Sequence, residues 1–499
     1  MTEKQSSYRQ IVKATSLFGG VQIFNILISI VRSKFIAVLL GPGGMGIAGL
    51  LNSTLRLIEG FSSLGLGTSA IKNVAAANAS GDNAHLISVV GVLRRLVWIT
   101  GFLGGIIAFI LAPWLSQLTF GNHDYTLAYR WISMTLLFNQ ISVGQGVVLR
   151  GMRQLKYMAR ATLLGSLLGL LISVPLYYLY NIKGIVPAII ASSIISLLMT
   201  WYFSGKVKLE KASVSLKTAI NEGKDMIRMG IMLSLSGLMA LGASYIIRVY
   251  LSSKGGVAQV GLYNAGFAII NTYVGLVFTA MATDYYPRLS GVAKDNNLAR
   301  NLMNEQAEVS ILILAPILTF FLVFINWIVI LLYSSKFVEI NGMIQWAAIG
   351  IYFKAASFSV GYILLAKGAS RLFLWNELAS NAYILGFNVL GYHIAGLEGL
   401  GISFMIGYFI HLFQVFFVAK IKYDFSFDKE FYKIFILQLA IGIFCFIVVK
   451  IFSKPILYSV GSVLILVSLY FSYREMKRRI DFKLSFQKIR DKIKGLRSS

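Results

Sequence analysis

The sequence has few residues that build covalent, metal or nucleotide sites. It contains one cysteine, Cys445, and four scattered histidines, which excludes a disulfide framework and makes a zinc cluster improbable. Cys445 lies in an apolar run, as is typical of a small buried hydrophobe. There is also no Gly-x-x-x-x-Gly-Lys-Ser/Thr loop to hold nucleotide phosphates. We therefore expect no bound cofactor and no direct use of ATP.

Charged residues are scarce and mostly basic. They form 13% of the chain, compared with about 25% in soluble domains, and 57% of the residues are hydrophobic. The formal net charge is +26, which in a soluble protein would suggest nucleic acid. Here the cations gather at the ends of apolar runs, as orientation in a membrane requires. We expect an all-α membrane protein that binds no nucleic acid.

Apolar runs of about 20 residues, the length that crosses a bilayer, indicate about fourteen transmembrane helices. The runs lie at 14–40, 46–70, 88–114, 127–148, 158–180, 184–205, 228–252, 257–283, 307–333, 341–366, 372–392, 397–419, 431–449 and 455–473. Six lysines and arginines fall in or next to the predicted external loops, five lie inside spans, and 35 gather on the opposite side. This bias predicts a bacterial inner-membrane protein with both termini in the cytoplasm. The loops between the runs are too short for an extramembrane catalytic domain.

Matching glycine-rich segments indicate an internal repeat. Residues 43–52 (GGMGIAGLLN) align without gaps to residues 255–264 (GGVAQVGLYN), 212 positions later. Two further pairs match at similar offsets: Gly151 with Gly368, and Gly184 with Gly399. Six spans per copy would make both copies enter the membrane in the same direction. The repeat therefore predicts two parallel six-helix bundles that face each other across a cavity, with a C-terminal helix pair outside the repeat.

This organisation divides the chain into five predicted regions. They are an N-terminal six-helix bundle (1–205), a cytoplasmic linker (206–227), a C-terminal six-helix bundle (228–420), an additional helix pair (421–474) and a basic amphipathic tail (475–499). Apolar residues of the tail recur at helical spacing among cations, which is typical of a helix on an anionic membrane surface. A disordered basic tail is the alternative interpretation.

Four cations inside spans are the candidate substrate-binding residues, because ionisable groups are costly in a bilayer and mark pathways. Arg32 and Arg248 each precede the repeated Gly-Gly loop, and two guanidinium groups there suit a pyrophosphate or an acidic sugar. Arg56 and Lys354 are expected to face the same cavity. The three arginines each have a simpler alternative. Arg32 and Arg248 would snorkel or cap helix ends, and Arg56 would only neutralise Glu59 three residues away.

Two acids are candidates for coupling transport to a proton or sodium gradient. Glu377 shares its span with three asparagines, a setting in which a carboxylate can bind H⁺ or Na⁺. Glu59 would form an ion pair with Arg56 that gates one side of the cavity. The alternative for Glu377 is an ion pair with a cation on a neighbouring helix.

The motifs resemble those of a known family. The stretch from Arg32 to Gly46 (RSKFIAVLLGPGGMG), the GIVPA and GLGIS segments that begin the sixth and twelfth runs, and the Phe120-Gly121 pair are similar to those of Wzx-type O-antigen and polysaccharide flippases. These belong to the multidrug/oligosaccharidyl-lipid/polysaccharide (MOP) exporter superfamily. The resemblance covers roughly residues 10–420. Many Wzx-type proteins have twelve spans and the peptidoglycan-precursor flippases have fourteen, so the subfamily stays open.

The resemblance implies a function and its partners. Such flippases move an undecaprenyl-pyrophosphate-linked glycan, an O-antigen or related repeat unit, from the cytoplasmic to the periplasmic leaflet by alternating access, among membrane lipids and other polysaccharide assembly proteins. Arg32, Arg56, Arg248 and Lys354 fit the basic cavity residues of the family. A cation-coupled multidrug exporter is the first alternative, and it is disfavoured because few acids lie in the spans. A membrane polysaccharide polymerase is the second, and it would need a larger external loop.

Overall fold

The computed structural model describes the backbone of residues 3–207, 209 and 214–479, and the side chains from Gly20 onward within these ranges except that of residue 273. Most of the predicted tail, residues 480–499, and part of the predicted linker lie outside the described residues. The fifteen α-helices of the described part are α1 Glu3–Leu39, α2 Gly41–Ser62, α3 Leu66–Ala79, α4 Asn83–Ile110, α5 Ala112–Phe120, α6 Thr126–Gly151, α7 Leu155–Tyr180, α8 Ile185–Gly205, α9 Leu216–Ala268, α10 Gly275–Val292, α11 Asn296–Leu332, α12 Asn341–Ala366, α13 Ser370–Tyr423, α14 Lys429–Ile451 and α15 Lys454–Arg479.

The all-α membrane class is confirmed, although the count of fourteen spans is not. Ten segments of the described residues are long and apolar enough to cross a membrane. Three of these, of 51, 77 and 54 residues, are far longer than the ~20 residues of one crossing. The longest two include helices with internal breaks, at Gly256 in α9 and at Ala395 and Gly396 in α13. The second predicted span, 46–70, is divided between α2 and α3 by Leu64 and Gly65, which both have positive φ.

Two compact units organise these helices. The N-terminal unit contains residues 1–264 and 332–337, and the C-terminal unit contains 265–331 and 338–499. In the N-terminal unit, Leu51, Ile132 and Leu136 belong to an apolar cluster that joins α2 and α6. In the C-terminal unit, a cluster around Tyr285 and Val360 joins α10 and α12. The two units are defined by which helices pack together, whereas the predicted bundles were defined by the sequence repeat. The units therefore do not test the five predicted regions, which stay a prediction.

The same turn occurs twice in the chain, 215 residues apart. Gln154 donates its backbone N–H to the carbonyl of Leu149 (2.8 Å), and Ala369 does the same to Leu364 (2.9 Å). The residues just before these two donors, Arg153 and Gly368, have φ values of 55° and 69°. The sequence match of Gly368 with Gly151 is therefore displaced by two positions. The structural equivalent of Gly368 is Arg153, in the left-handed conformation that glycine adopts most easily.

Close helical returns also recur at this offset. A Cβ on Gly184 would overlap the backbone carbonyl of Leu176, and one on Gly399 would overlap that of Gly391, which is likewise eight residues earlier. In each case a helix folds back against the helix before it, and only a residue without a side chain permits that approach. The two units therefore contain the same hairpin at equivalent places, which supports the predicted repeat.

A glycine-mediated crossing joins the repeated segments within the N-terminal unit. A Cβ on Gly46 would meet the backbone carbonyl of Val257, and a Cβ on Gly261 would meet that of Pro42. A Cβ on Gly49 would overlap the side-chain amide of Asn264. Residues 42–49 and 257–264, which we call the glycine crossing, therefore pack backbone to backbone. This contact depends on the absence of a side chain in glycine and not on the conformational freedom of glycine.

The additional helix pair packs inside the C-terminal unit. The Gln438 side chain of α14 is fully buried and bonds to the Ser468 hydroxyl of α15 (2.7 Å) and to the Ser472 hydroxyl (2.8 Å). The Nε1–H of Trp327 in α11 donates to the Tyr458 hydroxyl of α15 (2.7 Å). Polar bonds of this kind join membrane helices where packing alone gives little specificity.

Candidate functional site

Arg32, Arg56 and Glu59 line one cavity of about 320 Å³ in the N-terminal unit. Arg56 and Glu59 lie three residues apart on α2, so they share a helix face, as predicted from their spacing. The Glu59 carboxylate interacts electrostatically with Arg56, and the Asn139 side chain lines the same cavity. We call this space, bounded by α1, α2, α6, α7 and α8, the Arg56 cavity. It brings together three of the six predicted site residues.

A second cavity of about 360 Å³ adjoins it within the same unit. We call it the hydroxyl cavity, because hydroxyl side chains from α6, α7 and α8 line it together with Arg32 and Arg150. The hydroxyl-bearing residues are Ser142, Thr162, Ser166, Ser192, Ser196 and Thr200. Arg32, Ser192 and Ser196 line both cavities. The two cavities are therefore neighbours within the N-terminal unit, and Arg32 belongs to both.

Arg32 lies where the two cavities meet and has an unused donor. Its Nε is buried and has no hydrogen-bond partner among the residues that the structure describes. A Cβ on Gly169 would lie 3.2 Å from Nη2 of Arg32 and 3.5 Å from the Ser192 hydroxyl, so the guanidinium rests against bare backbone of α7. A buried N–H without an acceptor is rare and unfavourable. Arg32 is thus positioned to donate to a ligand with an acceptor.

Arg248 is engaged by the protein itself. Its Nε donates to the side-chain oxygen of Asn264 (2.8 Å), and its Nη1 donates to the carbonyl (2.6 Å) and the hydroxyl of Ser244. The guanidinium carbon also lies 5.5 Å from the ring centre of Tyr263. Arg56 and Arg248 interact electrostatically within this unit. Arg248 therefore holds a fixed positive charge near Arg56.

Lys354 lies in the C-terminal unit among aromatic rings. Its Nζ is 5.0 Å from the ring centre of Tyr408, with the rings of Phe278 and Phe404 at 5.5 and 5.7 Å. Nζ donates to the side-chain oxygen of Asn271 at 3.3 Å. No ion pair of Lys354 occurs among the residues that the structure describes. Ring faces stabilise a cation without neutralising it, so this ammonium keeps its charge available for an anion.

Glu377 belongs to a polar chain in the C-terminal unit. It interacts electrostatically with Tyr383, whose hydroxyl lies 3.3 Å from Nδ1 of His411. His411 in turn interacts with the charge of Lys354. Among the described residues no cluster of three or more metal-ligating side chains is present. Glu377 and Glu59 remain predicted coupling residues, and the ion pair with a neighbouring helix considered for Glu377 is not found in the described part of the chain.

Arg150 and the row of hydroxyls were not predicted from the sequence. Arg150 lies just after the fourth predicted span, 127–148, where a cation is expected at a helix end. The hydroxyls carried a signal, because Ser192, Ser196 and Thr200 recur at intervals of four on α8 and Thr162 and Ser166 do so on α7. Such spacing of small residues is also the ordinary pattern of helix packing in membranes. Only the cavity beside them separates the two interpretations.

Comparison with known proteins identifies the family. The family described as "polysaccharide biosynthesis protein" matches residues 35–341, more than half of the chain. The chain belongs to this family. The match includes Arg56, Arg150 and Arg248 and begins three residues after Arg32.

Relatives and solved structures agree with this assignment. The lipid III flippase of Escherichia coli K12 is 22% identical over 414 residues, which cover 80% of this chain and 96% of the relative. A multidrug resistance MATE family transporter of the MOP superfamily, in an inward-facing conformation, aligns with a TM-score of 0.68 at 16% identity over 80% of this chain and 94% of its own. The lipid II flippase MurJ, inward closed, aligns with a TM-score of 0.66 at 13% identity over 93% of this chain and 99% of its own.

These comparisons confirm the predicted superfamily, and the fold of this polysaccharide biosynthesis protein is that of the MOP transporters. Its apolar segments and its bacterial relative support a multi-pass inner-membrane protein. The orientation of the termini stays a prediction.

Proposed function

We propose that this protein is a flippase for a lipid-linked oligosaccharide. The substrate is an undecaprenyl-pyrophosphate-linked glycan, such as an O-antigen or related surface polysaccharide unit, which moves from the cytoplasmic to the periplasmic leaflet by alternating access. The observation that carries the proposal is the charge around the Arg56 cavity: Arg32 and Arg56 line it, Arg248 interacts electrostatically with Arg56, and Glu59 is the one acid among the described residues that line it. An excess of cations inside a membrane bundle is unfavourable unless an anion binds there.

The proposed roles follow from the geometry of each cation. Arg32 has a buried unpartnered Nε and Arg56 lines the same cavity, so both are available to donate to pyrophosphate oxygens. Hydrogen bonds to Asn264 and Ser244 hold Arg248 in place, so it contributes mainly its positive charge. Lys354, surrounded by rings, supplies a further charge in the C-terminal unit. Glu59 and Glu377 are the groups proposed to couple transport to H⁺ or Na⁺.

The multidrug exporter is the competing function, because this chain shares its fold with such transporters. Binding of cationic drugs requires carboxylates that are free of cations. Glu59 interacts with Arg56, and Glu377 is the remaining membrane carboxylate proposed for coupling. The excess of positive charge around the Arg56 cavity therefore favours an anionic substrate over a cationic one.

Replacement of the cavity arginines tests the proposal. Purified protein in proteoliposomes should transfer an undecaprenyl-pyrophosphate-linked glycan to the opposite leaflet, measured by its accessibility to an impermeant glycan-oxidising reagent. We expect Arg32→Gln and Arg56→Gln each to lower the initial rate about tenfold or more, because a charge-assisted hydrogen bond is worth about 1.5–3 kcal/mol.

Arg130→Gln is the matched control, since Arg130 is exposed and its guanidinium carbon lies 5.5 Å from the ring centre of Phe109, away from both cavities' lining residues. It should transport at the wild-type rate. Unchanged transport by both cavity variants would remove Arg32 and Arg56 from the substrate path. Accumulation of a cationic dye such as ethidium, without glycan transfer, would instead support the multidrug exporter.

A further inference from the structure

The hydroxyl cavity offers hydrogen-bond acceptors along one wall. The Ser142 hydroxyl lies 3.0 Å from that of Thr200 and 3.3 Å from that of Ser196. Thr200 is also 2.8 Å from the carbonyl of Ser196, and Ser166 donates to the side-chain oxygen of Asn25 at 3.0 Å. A hydroxyl has one proton but two lone pairs. Because the protons are used between and within helices, lone pairs remain for O–H donors of a ligand.

The cations of this cavity require an anionic acceptor. Arg32 brings its buried, unpartnered Nε–H to the inner end, and Arg150 lines the other end, where its Nε donates to the Gly146 carbonyl at 3.3 Å. No Asp or Glu is among the residues that line the cavity. Guanidinium groups bind carboxylates and phosphates in a bidentate manner. The complementary ligand therefore combines several O–H donors with one negative group.

The size of the cavity suits a small polar ligand. Its volume of about 360 Å³ falls in the usual range of ligand sites, about 300–1,000 Å³. Gly146 and Gly165 line it without side chains, and a Cβ on Gly165 would still be 3.7 Å from the nearest atom of the facing Ser196. At 3.7 Å such a Cβ is in ordinary van der Waals contact, so the room for a ring comes from the volume of the cavity and not from a gap between α7 and α8 at Gly165.

We propose that the hydroxyl cavity binds a carboxylate-bearing sugar of the transported glycan. Its ring hydroxyls donate to the serine and threonine oxygens, and its carboxylate accepts from Arg150 or Arg32. This inference rests on the proposed flippase function and specifies the substrate as an acidic glycan. An inorganic phosphate satisfies the arginines but offers few O–H donors to the hydroxyl row, so the geometry favours the sugar acid.

Binding of small probes to the full-length protein in lipid nanodiscs tests this directly. The probes are glucuronate, glucose and inorganic phosphate, and dissociation constants are measured by titration calorimetry or saturation-transfer NMR. We expect glucuronate to bind at least tenfold more tightly than either of the other two. Arg150→Gln, which changes this cavity and leaves the Arg56 cavity intact, should weaken glucuronate about tenfold or more.

A second variant distinguishes the loss of the binding site from the loss of the folded structure. Ser196→Ala with Thr200→Ala removes two acceptors and leaves both arginines, so it should weaken glucuronate while leaving the weak binding of phosphate unchanged. Arg130→Gln should bind all three probes as the wild type does. Equal binding of phosphate and glucuronate, or glucuronate binding that neither cavity variant weakens, would overturn the assignment.

The outcome is separable from that of the proposed function. If the protein transfers lipid-linked glycans but does not bind glucuronate more tightly than glucose and phosphate, the flippase function stands and the acidic-sugar site is rejected. Failure to transfer any lipid-linked glycan, with glucuronate binding as expected, would overturn the flippase and leave an acidic-sugar site in a protein of another activity.

Discussion

At the scale of single residues, Arg479 connects three helices of the C-terminal unit. Its Nε lies 2.7 Å from the Glu308 carboxylate of α11, its Nη1 lies 2.7 Å from Glu475 in α15, and its Nη2 lies 3.6 Å from Glu430 in α14. Glu475 has no exposed side-chain surface. The first residues of the predicted tail thus belong to α15 and anchor it, because a buried carboxylate requires a cation beside it.

Replacement of this arginine should weaken the fold more than replacement of its neighbour. Arg479→Met leaves the carboxylates of Glu308 and Glu475 without their main partner, and we expect a loss of about 1.5–3 kcal/mol. Arg478→Met is the matched control, because Arg478 also contacts Glu475 but keeps 61% of its side-chain surface exposed, and exposed ion pairs contribute little. The midpoint of thermal unfolding in detergent measures both. Equal midpoints would show that Arg479 is dispensable to the packing of α15.

The contacts of a charged side chain could be predicted only where its partners are near it in the sequence. The position of Arg56 and Glu59 on one cavity followed from their spacing on one helix. The rings around Lys354 come from α10 and α13, far away in the sequence, so no local pattern indicated them. The position of Arg150 beside a cavity likewise depends on which helix face meets α7 and α8. Such long-range contacts require the packed structure.

At the scale of elements, the glycine crossing controls how closely α2 and α9 approach. Gly261→Ala places a methyl group onto the Pro42 carbonyl, so the helices must move apart. Overpacking of this kind typically destabilises by about 1–3 kcal/mol. We expect a lower thermal midpoint for Gly261→Ala than for Gly43→Ala, where the new Cβ would have no neighbour within 4 Å. A midpoint for Gly261→Ala equal to that of the control would mean that the helices separate freely there.

Helices were predictable from hydropathy because an apolar run of sufficient length has few other structures in a bilayer. Their breaks were harder to predict. The interruption between α2 and α3 occurs at Leu64 and Gly65 inside an apolar run, and Leu64 adopts a positive φ that its residue type does not favour. By contrast, the break of α9 at Gly256 lies in the glycine-rich segment that the sequence repeat identifies. Tertiary packing, rather than local preference, decides such positions.

At the scale of the whole molecule, the distribution of cations predicts that residues 121–125 face the periplasm and residues 293–295 face the cytoplasm. Cys445 is fully buried, so Cys445→Ser gives a background for single cysteines. A membrane-impermeant maleimide applied to cells with a permeable outer membrane should label His123→Cys and spare Lys294→Cys, because positive segments are retained inside. Both positions should react after lysis. The opposite labelling would invert the orientation, and with it the predicted direction of transport.

The glycine crossing has a further consequence, for the history of the chain. If the repeat arose by duplication, residues 42–49 and 257–264 descend from overlapping parts of one ancestral segment, and the crossing joins a segment to a copy of itself. In the ancestor any substitution there would have altered both sides of the contact at once. After duplication, each side of the contact could be substituted independently of the other. Gly49 and its counterpart Gly261 are still the same residue, whereas the counterpart of Gly46 is Ala258, so one side has begun to diverge while the contact persists.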